Sequence, residues 1–268
     1  MEWLIVLAVG VLAGTHTATW GMYKDAPHEG FQRYPRSILI SLAVAPVAYA
    51  LAGLDATRIA DLLILFGVVY VAERGITEFY KVYWRDEDQS KYFIPMQFHV
   101  FGRVWHSRAR RLAIGIPHAA IIIGLLFFIR WFQPRADAPF WLLVITLGSI
   151  GGWISAFGGA FKDAPIEGFE WLKFFRSPVV AALYALILST FTRDLVVIAL
   201  AAEGFTVATL ETYKTFFFPS KPRGKFAGKP VLFPRMLHIR QRFLPVYVFI
   251  WITVLSGFAV AFMAAEGV

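Results

Sequence analysis

Cysteine is absent from the 268 residues. That excludes disulfides, thiolate metal centres and a cysteine nucleophile. Charge is scarce too: 16% of residues are charged and 58% are hydrophobic, where soluble domains carry about 25% and about 45–50%. Acidic residues number only 18 against 26 Lys and Arg. Also missing are His-Glu-x-x-His, Gly-x-Ser-x-Gly, a P-loop and a dinucleotide fingerprint. The dispersed histidines and carboxylates make no case for haem or a di-iron centre.

What is abundant is apolar sequence. Mean hydropathy is +0.60, and the excess lies in eight segments, about 2–22, 37–54, 58–84, 112–132, 140–161, 177–192, 194–218 and 243–265. Each is near the roughly 20 residues that cross a bilayer as a helix. The expected architecture is all-α: a polytopic membrane bundle of about eight transmembrane helices, with no room for a separate soluble domain. The second and sixth segments are short and read as tilted, broken or buried. The first lacks a basic n-region, Glu2 being its only early charge, so it reads as a retained helix rather than a signal peptide.

Loops after odd-numbered segments hold 21 of the 26 basic residues; Arg58, Arg130, Arg135 and Arg193 lie opposite, and Arg74 sits inside the third segment. The positive-inside rule places those loops in the cytoplasm and both termini outside. The expected location is the cell (inner or plasma) membrane. The formal net charge of +8 then reads as topology and contact with anionic headgroups, not as nucleic-acid binding.

One stretch occurs twice. Gly21–Phe31 and Gly159–Phe169 are identical at eight of eleven positions, 138 residues apart. The chain is an internal duplication: residues 1–132, a linker at 133–139, and residues 140–268. Four segments per repeat is an even number, so the halves share one orientation and are expected to be related by a pseudo-two-fold axis along the membrane normal.

Three motifs recur. In Lys-Asp-Ala-Pro-x-Glu-Gly-Phe, Pro27 and Pro165 suit the first turn of a new helix, with Asp25 and Asp163 near its N-cap. Asp25 with Glu29, and Asp163 with Glu167, are four apart and share a helix face, as carboxylates that hold Mg²⁺ against a diphosphate do. The plain alternative is that they cap an interfacial helix. In the second motif, Glu78-Phe79-Tyr80-Lys81 and Glu211-Thr212-Tyr213-Lys214 close the third and seventh segments. Glu and Lys three apart can pair, while Tyr80, Tyr213, Lys81 and Lys214 are also ordinary interface anchors. Glu73, Arg74, Glu78, Glu203 and Glu211 lie in or at the edge of apolar helices, where an ionised group costs about 2.5–3.5 kcal/mol. They must face the bundle interior, water or a partner. Glu73 and Arg74, on different faces, are not expected to neutralise each other. In the third motif, Pro95, His99, Arg103 and Pro234, His238, Arg242 are spaced to line one face of a helix opening at the proline. His and Arg one turn apart suit a phosphate, with His as acid or base; the alternative is an amphipathic surface helix. His16 and His118 read as packed, hydrogen-bonded histidines.

Mixed acids and bases at one rim suit a metal-bridged phosphate. The leading expectation is a membrane-embedded enzyme of transferase or hydrolase type, acting on a phosphate- or diphosphate-bearing lipid or isoprenoid. Asp25, Glu29, Asp163 and Glu167 are expected to hold Mg²⁺ or another divalent metal. Lys24, Lys162, Arg103, Arg242, Tyr80, Tyr213, Lys81 and Lys214 are the expected substrate contacts, and His99, His238, Glu78 and Glu211 the catalytic candidates. The paired Asp-x₃-Glu resembles the paired acidic motifs of intramembrane prenyltransferases of the UbiA type. The likeness spans about five residues per half, with Glu where that family has a second Asp, and without its fuller Asn-x₃-Asp-x₃-Asp pattern. Two other classes remain open: a transporter or channel with a path between the repeats, and a non-catalytic subunit docking a soluble partner on the basic loops 85–111 and 214–242. A homo-oligomer is also compatible with the sequence.

Overall fold

The computed structural model describes residues 1–24, 34–90, 92–218 and 233–266. The regular structure of the described residues is helical apart from one β-hairpin of two-residue strands. The helices are α1 (Glu2–Lys24), α2 (Tyr34–Ala52), α3 (Ile59–Phe79), α4 (Arg108–Phe132), α5 (Phe140–Thr146), α6 (Ile150–Glu167), α7 (Trp171–Leu188), α8 (Leu195–Phe216), α9 (Pro234–Arg242) and α10 (Leu244–Glu266). Among the described residues, seven helical stretches are long and apolar enough to cross a membrane: α1, α2, α4, the α5–α6 pair, α7, α8 and α10. The chain is therefore read as a multi-pass membrane protein. α3 coincides with the third apolar segment but carries Asp61, Glu73, Arg74 and Glu78. It is the most enclosed helix together with α8, and the two form the centre of the bundle.

The termini of these helices have local causes. Asp194 caps α8 by accepting from the amides of Val196 and Val197 at 2.9 and 3.2 Å. Ser107 caps α4. Gly53 ends α2 at φ +61° and Gly168 ends α6 at φ +89°, backbone conformations open to glycine. α3 runs into a π-helical turn, Tyr80–Trp84. There the Tyr83 ring lies flat on Gly115 of α4, and its hydroxyl meets His118 Nδ1 at 2.9 Å.

Small residues set the close helix contacts, as membrane bundles favour. α3 and α8 cross at Gly67 and Gly204: a Cβ on Gly204 would come within 2.0 Å of the Gly67 carbonyl oxygen. α1 meets α2 where a Cβ on Gly14 would approach the Ser37 carbonyl to 2.8 Å; α6 meets α7 where a Cβ on Gly152 would approach the Ser177 carbonyl to 2.6 Å. Gly10 lies against Ala45, and Gly148 against Ala185, at 3.0 and 3.1 Å by the same measure. Around the central pair, α10 packs on α3 and α4 on α8.

Up-down connectivity brings the ends of α1, α3, α6 and α8 and the starts of α2, α4, α7 and α10 to one end of the bundle, the motif end. Tyr34 against Phe243, and Tyr23 and Met22 against Met236 and Leu237, tie it together.

Candidate functional site

Both copies of the second motif form ion pairs. Glu78 accepts from Arg74 and from Lys81, each at 2.6 Å, and Glu211 accepts from Lys214 at 3.0 Å. Lys81 is fully buried, whereas Tyr80 and Tyr213 are 41% and 38% exposed, as interface anchors are. Arg74 also comes within 3.8 Å of Glu73. The expectation that these neighbours stay apart is corrected: the long guanidinium arm lies across the Trp20 ring, 4.7 Å from its centroid, and reaches both carboxylates. Thr77 gives Glu73 its hydroxyl at 2.8 Å.

The first motif is described in its second copy. Asp25 and Glu29 lie outside the described residues, and Lys24 is the last residue of α1. In the second copy Pro165 does not open a new helix. α6 runs through it to Glu167 and stops at Gly168, and α7 starts at Trp171. Asp163 is thus in the last turn of α6, not at an N-cap. A proline removes the bond to the carbonyl four residues back and crowds that carbonyl, and here the helix ends within three residues, so little helix lies beyond the disturbed turn. Asp163 and Glu167 still share a face. Glu167 is paired with Lys173 of α7, and Asp163 lies 4.0 Å from Lys162. Lys173 also feels the charges of Lys162, Arg176 and Lys214. With Glu211 beside Lys214, three helices bring four cations and three carboxylates to one corner of the motif end. Among the described residues, no three His, Asp or Glu converge as a metal site would require.

The third motif is corrected in its first copy. His99 and Arg103 are not on a helix but on the strands β1 (His99–Val100) and β2 (Arg103–Val104). Phe101 and Gly102, at φ 49° and 79°, make the two-residue turn that this hairpin needs. His99 is buried and Arg103 exposed. The second copy is helical, in α9, but its Pro234, His238 and Arg242 make up the exposed face. Met236, Leu237 and Arg240 point inward instead. Arg240 donates to the Thr215 carbonyl at 3.3 Å and lies over the Tyr23 and Phe216 rings. Burial lowers its pKa to about 10.

Two polar centres lie deeper. In the first half, Tyr70 takes hydrogen bonds with Trp20 Nε1 at 2.7 Å and His16 Nδ1 at 2.9 Å, and His16 stacks on Tyr247 at 4.1 Å. Tyr247 and Trp251 both bond the Thr212 hydroxyl. In the second half, the buried Glu203 accepts from Ser155, and its Oε2 has no hydrogen-bond partner.

The sequence pointed to the Glu-x-Tyr-Lys pairs and to Asp163 and Glu167. It missed Lys173, Arg176, Arg240 and Ser155. One signal was available: Arg36-Ser37 and Arg176-Ser177 recur 140 residues apart. Compared with known protein families, curated proteins and solved structures, the chain matches none.

Proposed function

We propose that the chain is a membrane-embedded enzyme acting on a phosphate- or diphosphate-bearing lipid at the motif end. The observation that carries this is the corner formed by Lys162, Lys173, Arg176 and Lys214 with Asp163, Glu167 and Glu211. A phosphate ester suits four converging cations at a helix-end depth where headgroups lie. Asp163 and Glu167 would take a divalent cation such as Mg²⁺ once Lys173 turned from Glu167 to the phosphate, with Asp25 and Glu29 their counterparts in the first half. The metal would supply charge neutralisation at the phosphoryl oxygens.

We infer further that the halves are related by a pseudo-two-fold axis. The contacts Gly14–Ser37 and Gly152–Ser177, and Gly10–Ala45 and Gly148–Ala185, support this; so does the exchange that lays α10 on α3 and α4 on α8. α3 would then be an eighth span on the axis beside α8. The 21 of 26 basic residues in the loops after odd-numbered segments support a cytoplasmic location for that end. The Gly67–Gly204 crossing leaves no room for a path between α3 and α8, which favours an enzyme over a channel along the axis.

The test is phosphorus NMR of prenyl diphosphates and phosphatidic acid incubated with the chain in nanodiscs. The expected result is conversion that needs Mg²⁺ and is lost in Lys173→Gln. No conversion or binding of any phosphate lipid, with or without metal, would overturn the proposal.

A further inference from the structure

The 138-residue offset that aligns the motifs also aligns Trp20 with Gly158, Gly21 with Gly159 and Thr17 with Ser155. Trp20 is 1% exposed and fills the space between α1 and α3, against Tyr70 and Arg74. Its counterpart has no side chain. A Cβ on Gly158 or on Gly159 would meet nothing within 4 Å. Gly158 is seven residues beyond Gly151, hence on the same helix face, and Gly151 packs directly on Glu203 of α8. So α6 touches α8 at Gly151 and then leaves a gap beside it towards the motif end. The outer wall differs in the same way. In the first half α10 closes on α1 through the His16–Tyr247 stack and the His16–Trp251 edge contact, and α9 packs on α1 too. In the second half α4 lies mostly exposed and does not close on α6. The hairpin comes near α6 at Gly102, where a Cβ would lie 3.8 Å from Ile166.

We propose that this cleft, between α4 and α6 on the floor of α8, binds the single hydrocarbon chain of the phosphate-bearing lipid. It rests on the function proposed above and adds the place of the chain. The head sits among Lys162, Lys173, Arg176 and Lys214. The chain passes Gly159 and Gly158 and ends at the Ser155–Glu203 pair. From Lys162 to Ser155 is seven residues, about 10 Å at 1.5 Å per residue. The cleft opens sideways, so a lipid enters from the bilayer. Glu203 and the exposed Ser155 mark its inner end with a buried carboxylate whose Oε2 has no partner, which suits an ordered water between it and the end of the chain.

The experiment compares farnesyl diphosphate with inorganic diphosphate binding to nanodisc-embedded protein. Gly158→Trp restores the residue of the first half. It is expected to weaken farnesyl diphosphate roughly tenfold or more and to leave inorganic diphosphate unchanged. Gly158→Ala, which meets no neighbour, is expected to bind both as wild type does, and thermal melts of both variants check folding. Equal farnesyl diphosphate affinity in wild type and a folded Gly158→Trp overturns the cleft while leaving the phosphate corner standing. Equal loss of both ligands in Gly158→Trp also overturns it, because the head alone was then affected. Binding of neither ligand to wild type overturns the corner and the cleft together. Lysophosphatidic acid, which carries one acyl chain, is run as a separate arm and distinguishes an acyl from an isoprenoid chain.

Discussion

The two halves of the sequence carry the same motifs and differ in what packs around them. In the first, the space between α1 and α3 is packed by His16 and Trp20, and α9 and α10 close on α1 with Arg240 over Tyr23 and Tyr247 on His16. In the second, the corresponding stretch of α6 carries Ile154, Gly158 and Phe161; Gly158 faces open space and Phe161 is 54% exposed. On the function proposed above, labour would be divided between them: the filled half would anchor the bundle, and the emptied half would be left free to bind. Trp20 and Gly158 are the sharpest expression of it, one the packing residue and the other its absence.

The comparison can be broken most severely at Trp20. Trp20→Ala removes a buried indole, its bond to Tyr70 and the face beneath Arg74. A loss of about 3–5 kcal/mol is expected, read by denaturant or thermal unfolding in detergent, whereas Phe161→Ala should lose under about 1 kcal/mol because half of that ring is already exposed. Comparable losses at the two sites would erase the contrast.

Next comes Arg111, fully buried at the start of α4. It donates to the carbonyls of Tyr83, Arg85, Trp105 and His106 and to Asp86, and so fastens the loop carrying the hairpin. Arg111→Met leaves those acceptors without their donor; with charged hydrogen bonds worth about 1.5–3 kcal/mol each before relaxation, a loss on the order of 3 kcal/mol is expected. Limited proteolysis within 85–107 should accelerate. The α3–α8 crossing is tested by Gly204→Ala, whose Cβ has no room beside Gly67; a loss of about 1–3 kcal/mol is expected. An unaffected melting temperature would mean the two helices do not meet there.

A smaller effect concerns acid. Hydrogen bonds from Arg111 and Arg108 hold the Asp86 carboxyl below its usual range. A depressed carboxyl contributes stability above its unfolded pKa, near 3.9, and loses it as pH falls through the folded value. The loop should therefore loosen only below about pH 4, visible as faster amide exchange around 86 and 105–107. Loosening near neutral pH would contradict the pairing. Tyr80→Ala and Tyr213→Ala, at exposed anchors, should change stability by no more than about 0.5 kcal/mol.

Much of the architecture was legible because apolar run length needs no partner to be read. The eight expected segments overlap α1, α2, α3, α4, the α5–α6 pair, α7, α8 and α10; the two short ones start earlier than expected, at Tyr34 and Trp171, and end earlier, at Ala52 and Leu188. The Glu78–Lys81 and Glu211–Lys214 pairs were legible for the same reason, being local in sequence. What failed depended on backbone and tertiary choices. Phe101-Gly102 turns the chain where a helix was expected, since an x-Gly hairpin turn can take φ > 0 at both positions. Arg240 rather than Arg242 faces inward because the docking of Met236 and Leu237 on Met22 and Tyr23 fixes the rotation of α9. Lys173 and Arg176 join Asp163 only through the α6–α7 turn at Gly168, a contact invisible to helical spacing.

The most direct measurement is a titration of farnesyl diphosphate into wild type, Arg176→Gln and Arg36→Gln in nanodiscs, followed by phosphorus NMR. Arg36 and Arg176 are equivalents in sequence, so the pair isolates the half rather than the residue type. The expected result is a loss of roughly tenfold or more for Arg176→Gln and wild-type affinity for Arg36→Gln. Equal losses in the two variants, or none in Arg176→Gln, would contradict a phosphate site confined to the second half.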